Sequence, residues 1–162
     1  MSLTWHNLAF NQLSLDNLYD LLKLRVDVFV VEQNCPYPEL DDKDRDSQTR
    51  HLFATNELGK IACYSRVLAP GMSYVQASIG RVIVAQDFRG AKLGVPLMQK
   101  SIAIALDAWP DAGIQIGAQH AIESFYQELG FVAASEMYLE DDIPHIDMIY
   151  QGDNCPGTGR SS

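Results

Sequence analysis

Cysteine is scarce in this chain, and the little there is has no pattern. Cys35, Cys63 and Cys155 are odd in number and far apart, which suits neither a disulfide framework nor a zinc site, so they read as free thiols. Long apolar runs are missing as well: a stretch such as residues 26–31 falls far short of the roughly 20 residues a membrane-spanning helix needs. Residues 1–10 hold no basic segment followed by a continuous apolar core, so no secretory signal is read and a cytoplasmic location is expected. Basic residues are in the minority, 12 Lys and Arg against 21 Asp and Glu, for a formal net charge of -9. No basic stripe offsets that excess, which argues against a nucleic-acid partner.

What is present is an ordinary globular composition, 47% hydrophobic and 20% charged over 162 residues, enough for one domain with a single core. That domain is expected over residues 1–151, with 152–162, rich in glycine, proline and serine, as a flexible tail. A short strand over residues 3–10 leads to Ser14, the N-cap of a helix whose Leu15, Leu18, Tyr19, Leu22 and Val26 share one face as far as about Val30. Residues 34–50, with Pro36, Pro38 and many aspartates, read as a long solvated loop. Three β-rich runs follow, 51–55, 61–68 and 78–85, and an antiparallel meander is their natural arrangement. Next come a helix over 91–108, a buried strand over 114–118, a helix over 122–129 closed by Gly130, and two strands over 131–139 and 146–150. The fold class is α/β (α+β): a mixed, mostly antiparallel central sheet flanked by helices, with one right-handed parallel crossover from Arg81 through Ile116.

The segment richest in chemistry is Gly80 to Leu97. A β-branched strand runs into a turn holding Arg89, Gly90 and Gly94, and a helix starts there, so unpaired N–H groups and a positive helix end face whatever anion docks; a pyrophosphate is the obvious guest. The turn has no Gly-Lys-Ser/Thr and its glycines are wrongly spaced for the dinucleotide fingerprint. Two other signals dissolve on inspection. Asp42, Asp44 and Asp46 alternate as in a calcium loop, but Ser47 and Phe53 stand where the glycine and the bidentate glutamate belong. Ser65 and His51 lack the Gly-x-Ser-x-Gly elbow of a hydrolase.

The turn Arg89-Gly90-Ala91-Lys92-Leu93-Gly94 resembles the Arg/Gln-x-x-Gly-x-Gly/Ala acyl-CoA pyrophosphate loop of the GNAT N-acetyltransferases. Lys92 replaces the middle glycine, which puts a side chain where the family has bare backbone and points to a charge-assisted phosphate contact. Gln119 to Phe131 is similar to the GNAT block Asn-x-x-Ala-x-x-x-Tyr-x-x-x-Gly-Phe, with Tyr126 on the family tyrosine and Gln119 in place of the asparagine. Residues 25–37, Arg50-His51 and 143–148 resemble the ElaA-type branch of the family, and the likeness extends over about residues 5–150.

This resemblance implies a GNAT-like sheet, acetyl-CoA as acyl donor and no metal. It places the pyrophosphate on Arg89, Gly90, Ala91, Lys92, Leu93, Gly94 and Val95. Val82, Ile83 and Val84 would pair with the pantetheine amides, a backbone N–H near Val82 would polarise the thioester carbonyl, and Gln119 would reach the pantetheine arm. Tyr126 would donate to the departing sulfur. The acceptor is expected to be a small-molecule amine or a peptide amine, drawn by the acidic stretch 39–46. The groups able to take its proton are Glu32, His51, His120 and His145; Glu32 and His145 sit at plausible cleft positions, while His51 suits a structural hydrogen bond. Oligomeric state stays open, a homodimer included. A rival reading is a catalytically silent acyl-CoA-binding module, which Lys92 leaves open and Tyr126 argues against.

Overall fold

The computed structural model describes residues 2–152, in which one eight-stranded sheet organises the chain. The expected tail, with Cys155, lies outside the described residues apart from Gly152. Strands β2 (Arg50–Thr55), β3 (Ile61–Leu68) and β4 (Ala77–Val84) form the antiparallel meander that their β-rich runs predict, and β1 (Thr4–Leu8) adds antiparallel to the free edge of β2. Asn56 closes the β2–β3 turn by accepting from the Leu58 and Lys60 N–H groups, and Gly59 supplies the positive φ of +79°. Helix α2 (Gly94–Ala108) then crosses the sheet and returns the chain as β5 (Ile114–Gln119), parallel to β4. The helix starts three residues later than its apolar spacing predicts. Gly90 at φ +91° and Lys92 at φ +59° are left-handed and hold the turn out of the helix.

The C-terminal third differs from expectation in strand count. Helix α3 (Glu123–Glu128) is preceded by a single 3-10 turn and ends at Gly130, with φ +106°. The run 131–139 is two strands, β6 (Phe131–Ala133) and β7 (Tyr138–Glu140), and β8 begins early (Ile143–Tyr150). β7 and β8 make a hairpin through Asp141 and Asp142, both at positive φ (50° and 65°). A two-residue turn needs that conformation twice, and Asp-Asp is a weaker advertisement for it than Asn-Gly. The sheet order is β1-β2-β3-β4-β5-β8-β6, with β7 on β8.

Both faces of the sheet are covered. Helix α1 (Leu15–Arg25) is capped by Ser14, whose Oγ accepts from the Asn17 N–H at 3.0 Å. It buries Leu21 against Phe53 and Tyr64 on one face, and continues as a wider, π-helical segment, Val26–Glu32. α2 and α3 bury Leu97, Met98, Ile102 and Tyr126 on the other face.

The loop 34–49 is not the solvated segment its composition suggests. Arg25 is fully buried and donates to Glu39 at 2.6 Å and Asp44 at 2.7 Å, while Arg66 on β3 donates to Asp41 at 2.8 and 2.9 Å and to Asp44 at 3.1 Å. His51 is buried between the Tyr64 hydroxyl (2.7 Å) and the Asp44 carbonyl (3.1 Å), the structural role expected of it. A buried charge persists only when paired, so these contacts tie the loop to α1 and β3.

Candidate active site

Parallel strands β4 and β5 pair only at Ala77–Ile114 and Ser78–Gln115. Beyond that point they part, and residues 80–84 and 116–119 become opposite walls of a cleft of about 610 Å³. Strands that separate leave backbone N–H and C=O groups without a ladder partner, which is what an extended chain of ligand amides requires. Val82, Ile83 and Val84 all line this opening.

The wall is kinked where it matters. Tyr64 pairs with Ile83 and Arg66 with Gly80, so Arg81 and Val82 together oppose the single residue Ser65. This is a β-bulge, and it leaves backbone groups out of the β3 ladder. Arg81 takes φ +53° there, a left-handed conformation that costs a non-glycine residue roughly 1–2 kcal/mol. Its guanidinium is held from outside the strand: Nε donates to both carboxylate oxygens of the buried Glu39, at 2.9 and 2.8 Å.

Arg89 lines the cleft and opens the turn that carries Gly90, Ala91, Lys92 and Leu93 into α2; those four are not among the residues that line it, and Leu93 packs into the core beneath α2. The first-turn amides of a helix have no intrahelical acceptor, and Pro96 in that turn has no N–H to leave orphaned. Gly90 provides left-handed geometry with open space around it, and Lys92 adopts the same geometry in spite of its side chain. Gly94 has a packing constraint that the sequence does not show: a Cβ there would sit 3.3 Å from the Phe125 ring of α3. Val95 follows in the first turn and is partly exposed. Arg89 donates to the Val84 carbonyl at 3.1 Å and forms a bidentate pair with Glu32, at 2.9 and 3.0 Å, on the cleft rim.

Tyr126 lines the cleft from the α2–α3 face and is 7% exposed, its ring edge-on to Phe125 and Phe131. Among the described residues its hydroxyl has no hydrogen-bond partner. Burial pushes its pKa up to about 12, so the phenol stays protonated, a neutral donor, throughout the working range of an enzyme. Gln119, at the end of β5, donates to the Gln33 side chain at 3.3 Å.

His145 stands across the β5–β8 ladder from Gln119 and also lines the cleft. Its Nδ1 lies 2.7 Å from the Ile143 carbonyl; a carbonyl only accepts, so Nδ1 carries a proton, and in the neutral ring the lone pair is on Nε2. Nε2 is 3.8 Å from the Glu140 carboxylate, and the ring stacks on Tyr138, whose hydroxyl donates to Asp147 at 2.6 Å. Of the four candidates for the acceptor side, Glu32 and His145 are therefore at the cleft. His51 is sealed in the core, and His120 is exposed beside Glu123. Arg66, Arg81, Tyr37 and Tyr74 also line the cleft and were not singled out from sequence, although an arginine inside the apolar run Gly80 to Val84 is itself a signal of a special environment.

Comparison with known proteins bears directly on this geometry. Residues 24–151 match the family described as the acetyltransferase (GNAT) domain. The chain belongs to the GNAT acetyltransferase family. Within the family it is ElaA-like: it is 42% identical to protein ElaA of Escherichia coli (strain K12) over 144 residues, 89% of this chain and 94% of ElaA. The crystal structure of Escherichia coli ElaA superposes with a TM-score of 0.86 at 39% identity, covering 93% of this chain and all of that one. An acyl-CoA N-acyltransferase from Pseudomonas aeruginosa superposes with a TM-score of 0.87 at 43% identity, covering 92% and 99%. A GNAT domain implies an acyl-CoA donor and an acceptor for its acyl group. The residues present fit such a donor: Arg89 lines the cleft together with residues 80–84 of β4, and the left-handed turn at Gly90 and Lys92 leads directly from it into the unpaired first amides of α2.

Proposed function

We propose that this GNAT domain transfers an acetyl group from acetyl-CoA to the nitrogen of a small-molecule or peptide amine by direct attack on the thioester. The observation that carries this reading is the parting of β4 from β5, with Arg89, the first residue of the turn 89–95, on the rim and Tyr126 and His145 lining the cleft. On this reading the amides of residues 89–95, with Arg89 and Lys92, take the pyrophosphate. Val82 to Val84 and Gln119 align the pantetheine arm, and the bulge N–H near Val82 receives the carbonyl oxygen as it gains charge. The amine nitrogen bonds to the carbonyl carbon and gives its proton to His145 Nε2. The carbon–sulfur bond then breaks, and the Tyr126 hydroxyl supplies the proton that turns the leaving thiolate into a thiol.

Of the two base candidates at the cleft, His145 is preferred. Both oxygens of the Glu32 carboxylate are occupied by Arg89 at the rim, whereas His145 Nε2 has no hydrogen-bond donor on it among the described residues. The acidic stretch 39–46 no longer speaks for a cationic acceptor, because Glu39, Asp41 and Asp44 are paired with Arg25, Arg66 and Arg81. A silent binding module loses its main support as well, since Lys92 keeps the left-handed shape that a glycine would give the turn. The test is release of free CoA thiol in a screen of amines and peptides with acetyl-CoA as donor. Turnover with at least one amine is expected, and tight acetyl-CoA binding with no turnover on any of them would replace this reading with the binding module.

A further inference from the structure

Arg81 is the one residue of β4 whose backbone is strained, and it sits in the bulge that faces the cleft. An arginine occupies the left-handed position that bulges of this kind usually give to glycine. Strain of that sort persists only where the surroundings over-determine it, and here they do. Arg81 Nε is held by both oxygens of Glu39, and its Nη2 reaches the Glu39 carbonyl at 3.3 Å and Asp41 at 3.4 Å. Glu39 is itself fixed by Arg25 at 2.6 Å and by the Tyr37 hydroxyl at 2.6 Å, and the Tyr37 ring lies under the Arg81 guanidinium. On the neighbouring strand Arg66, the partner of Gly80 just before the bulge, is locked to Asp41 and Asp44.

We propose that Arg81 and Glu39 are positioning residues for the thioester: their ion pair holds the bulge in its left-handed form and so aims the Val82 backbone N–H at the carbonyl oxygen. The inference rests on the acyl transfer proposed above and goes beyond it, by assigning the loop 34–49 a part in catalysis without any contact with the reacting atoms. It also accounts for the use of buried charge in a loop that would close over the sheet as well with apolar side chains.

The test reads the carbonyl directly and needs no acceptor. Isotope-edited infrared spectra of acetyl-CoA, 13C-labelled at the thioester carbonyl, are taken free and bound to the wild-type protein, to Arg81→Ala and to Arg81→Gly. Calorimetry supplies the affinity and thermal unfolding checks each fold. In the wild type the bound band shifts to lower wavenumber. In Arg81→Ala, which removes the clamp and keeps the strain, most of that shift disappears while CoA affinity changes less than threefold. In Arg81→Gly, which takes a positive φ without penalty, at least half of the shift is retained. A wild-type shift in Arg81→Ala overturns the proposal. Equal loss in both variants overturns it too, because the guanidinium charge rather than the backbone would then polarise the carbonyl. Absence of any shift in the wild type counts instead against the thioester geometry of the proposed function. Should Arg81→Ala not fold, Tyr37→Phe loosens Glu39 from the other side and is expected to reduce the shift by a smaller amount; an undiminished shift there is equally fatal.

Discussion

Tyr126 joins packing to the chemistry proposed for it. Its ring is an edge-on partner of Phe125 and Phe131, and its hydroxyl has no hydrogen bond within the described residues. Tyr126→Phe keeps the ring and removes only the donor. Turnover in the thiol-release assay is expected to fall about 10²-fold, the low end for general-acid catalysis, while CoA affinity by calorimetry and the unfolding midpoint stay near wild type. Unchanged turnover would leave protonation of the sulfur to water. With the phenol pKa pushed up to about 12 by burial, loss of the Tyr126 proton is not expected to limit the rate anywhere below about pH 11. Lys92 is the second residue whose surroundings sharpen its reading. Its left-handed backbone explains why the family has glycine there, and the exposed ammonium remains available to phosphate. Lys92→Ala is expected to raise the Kd of CoA more than that of dephospho-CoA, by a margin that shrinks with added salt. Equal responses would make it a surface residue only.

Among the secondary elements, the meeting of α2 and α3 carries a consequence that the loop motif alone does not show. A Cβ on Gly94 would lie 3.3 Å from the Phe125 ring, a tight contact, so the two helices approach each other closely through this residue. Gly94→Val is therefore expected to lose stability as well as cofactor affinity, by about 1–3 kcal/mol for an overpacked contact, and to disturb Tyr126, the next residue along. Urea unfolding and CoA titration should move together. A variant with wild-type stability and lost affinity would show that backbone approach to the pyrophosphate is the whole role of this glycine. The hairpin of β7 and β8 has a comparable hidden logic, since two aspartates at positive φ set the register that puts Tyr138 beside His145.

The whole molecule depends on a charge network that joins α1, the loop 34–49, β3 and β4. Burial by itself would raise the Asp41 pKa, but hydrogen bonds and charge from Arg66, with Arg81 behind, outweigh it and hold the group at about 2. Asp44 is lowered by the same balance, burial against Arg25 and Arg66. A carboxylate depressed in the folded state binds its proton more readily when unfolded. Its stabilisation is thus complete above the unfolded value of about 4, and it disappears as pH falls from there toward 2. Stability by chemical unfolding is expected to decline steeply in that acid window. Arg25→Met removes one of the two cations that Glu39 shares with Arg81 and Asp44 shares with Arg66, and is expected to cost about 3–5 kcal/mol at neutral pH. A loss under 1 kcal/mol would mean that the network is solvated in solution.

Local physics made most of this protein legible in its residues. Turn chemistry, helix caps and β-branched runs located the meander, the crossover and the helix starts to within a few residues, because each is decided by neighbours in the chain. The strand, turn and helix start around Arg89 to Gly94 and the helix holding Tyr126 were legible for the same reason, since each is consecutive in the chain; the roles proposed for them rest on the family resemblance. Only the tertiary structure decided the rest. Arg25 meets Glu39 and Asp44 across 14 and 19 residues, and Arg66 meets Asp41 across 25. Charge pairing at that separation has no period or spacing, so an acidic, proline-containing stretch looks solvated whether its partners are water or buried guanidiniums. The bulge at Arg81 was hidden likewise, since a left-handed arginine is disfavoured by every local rule and exists here because contacts from a distant loop hold it.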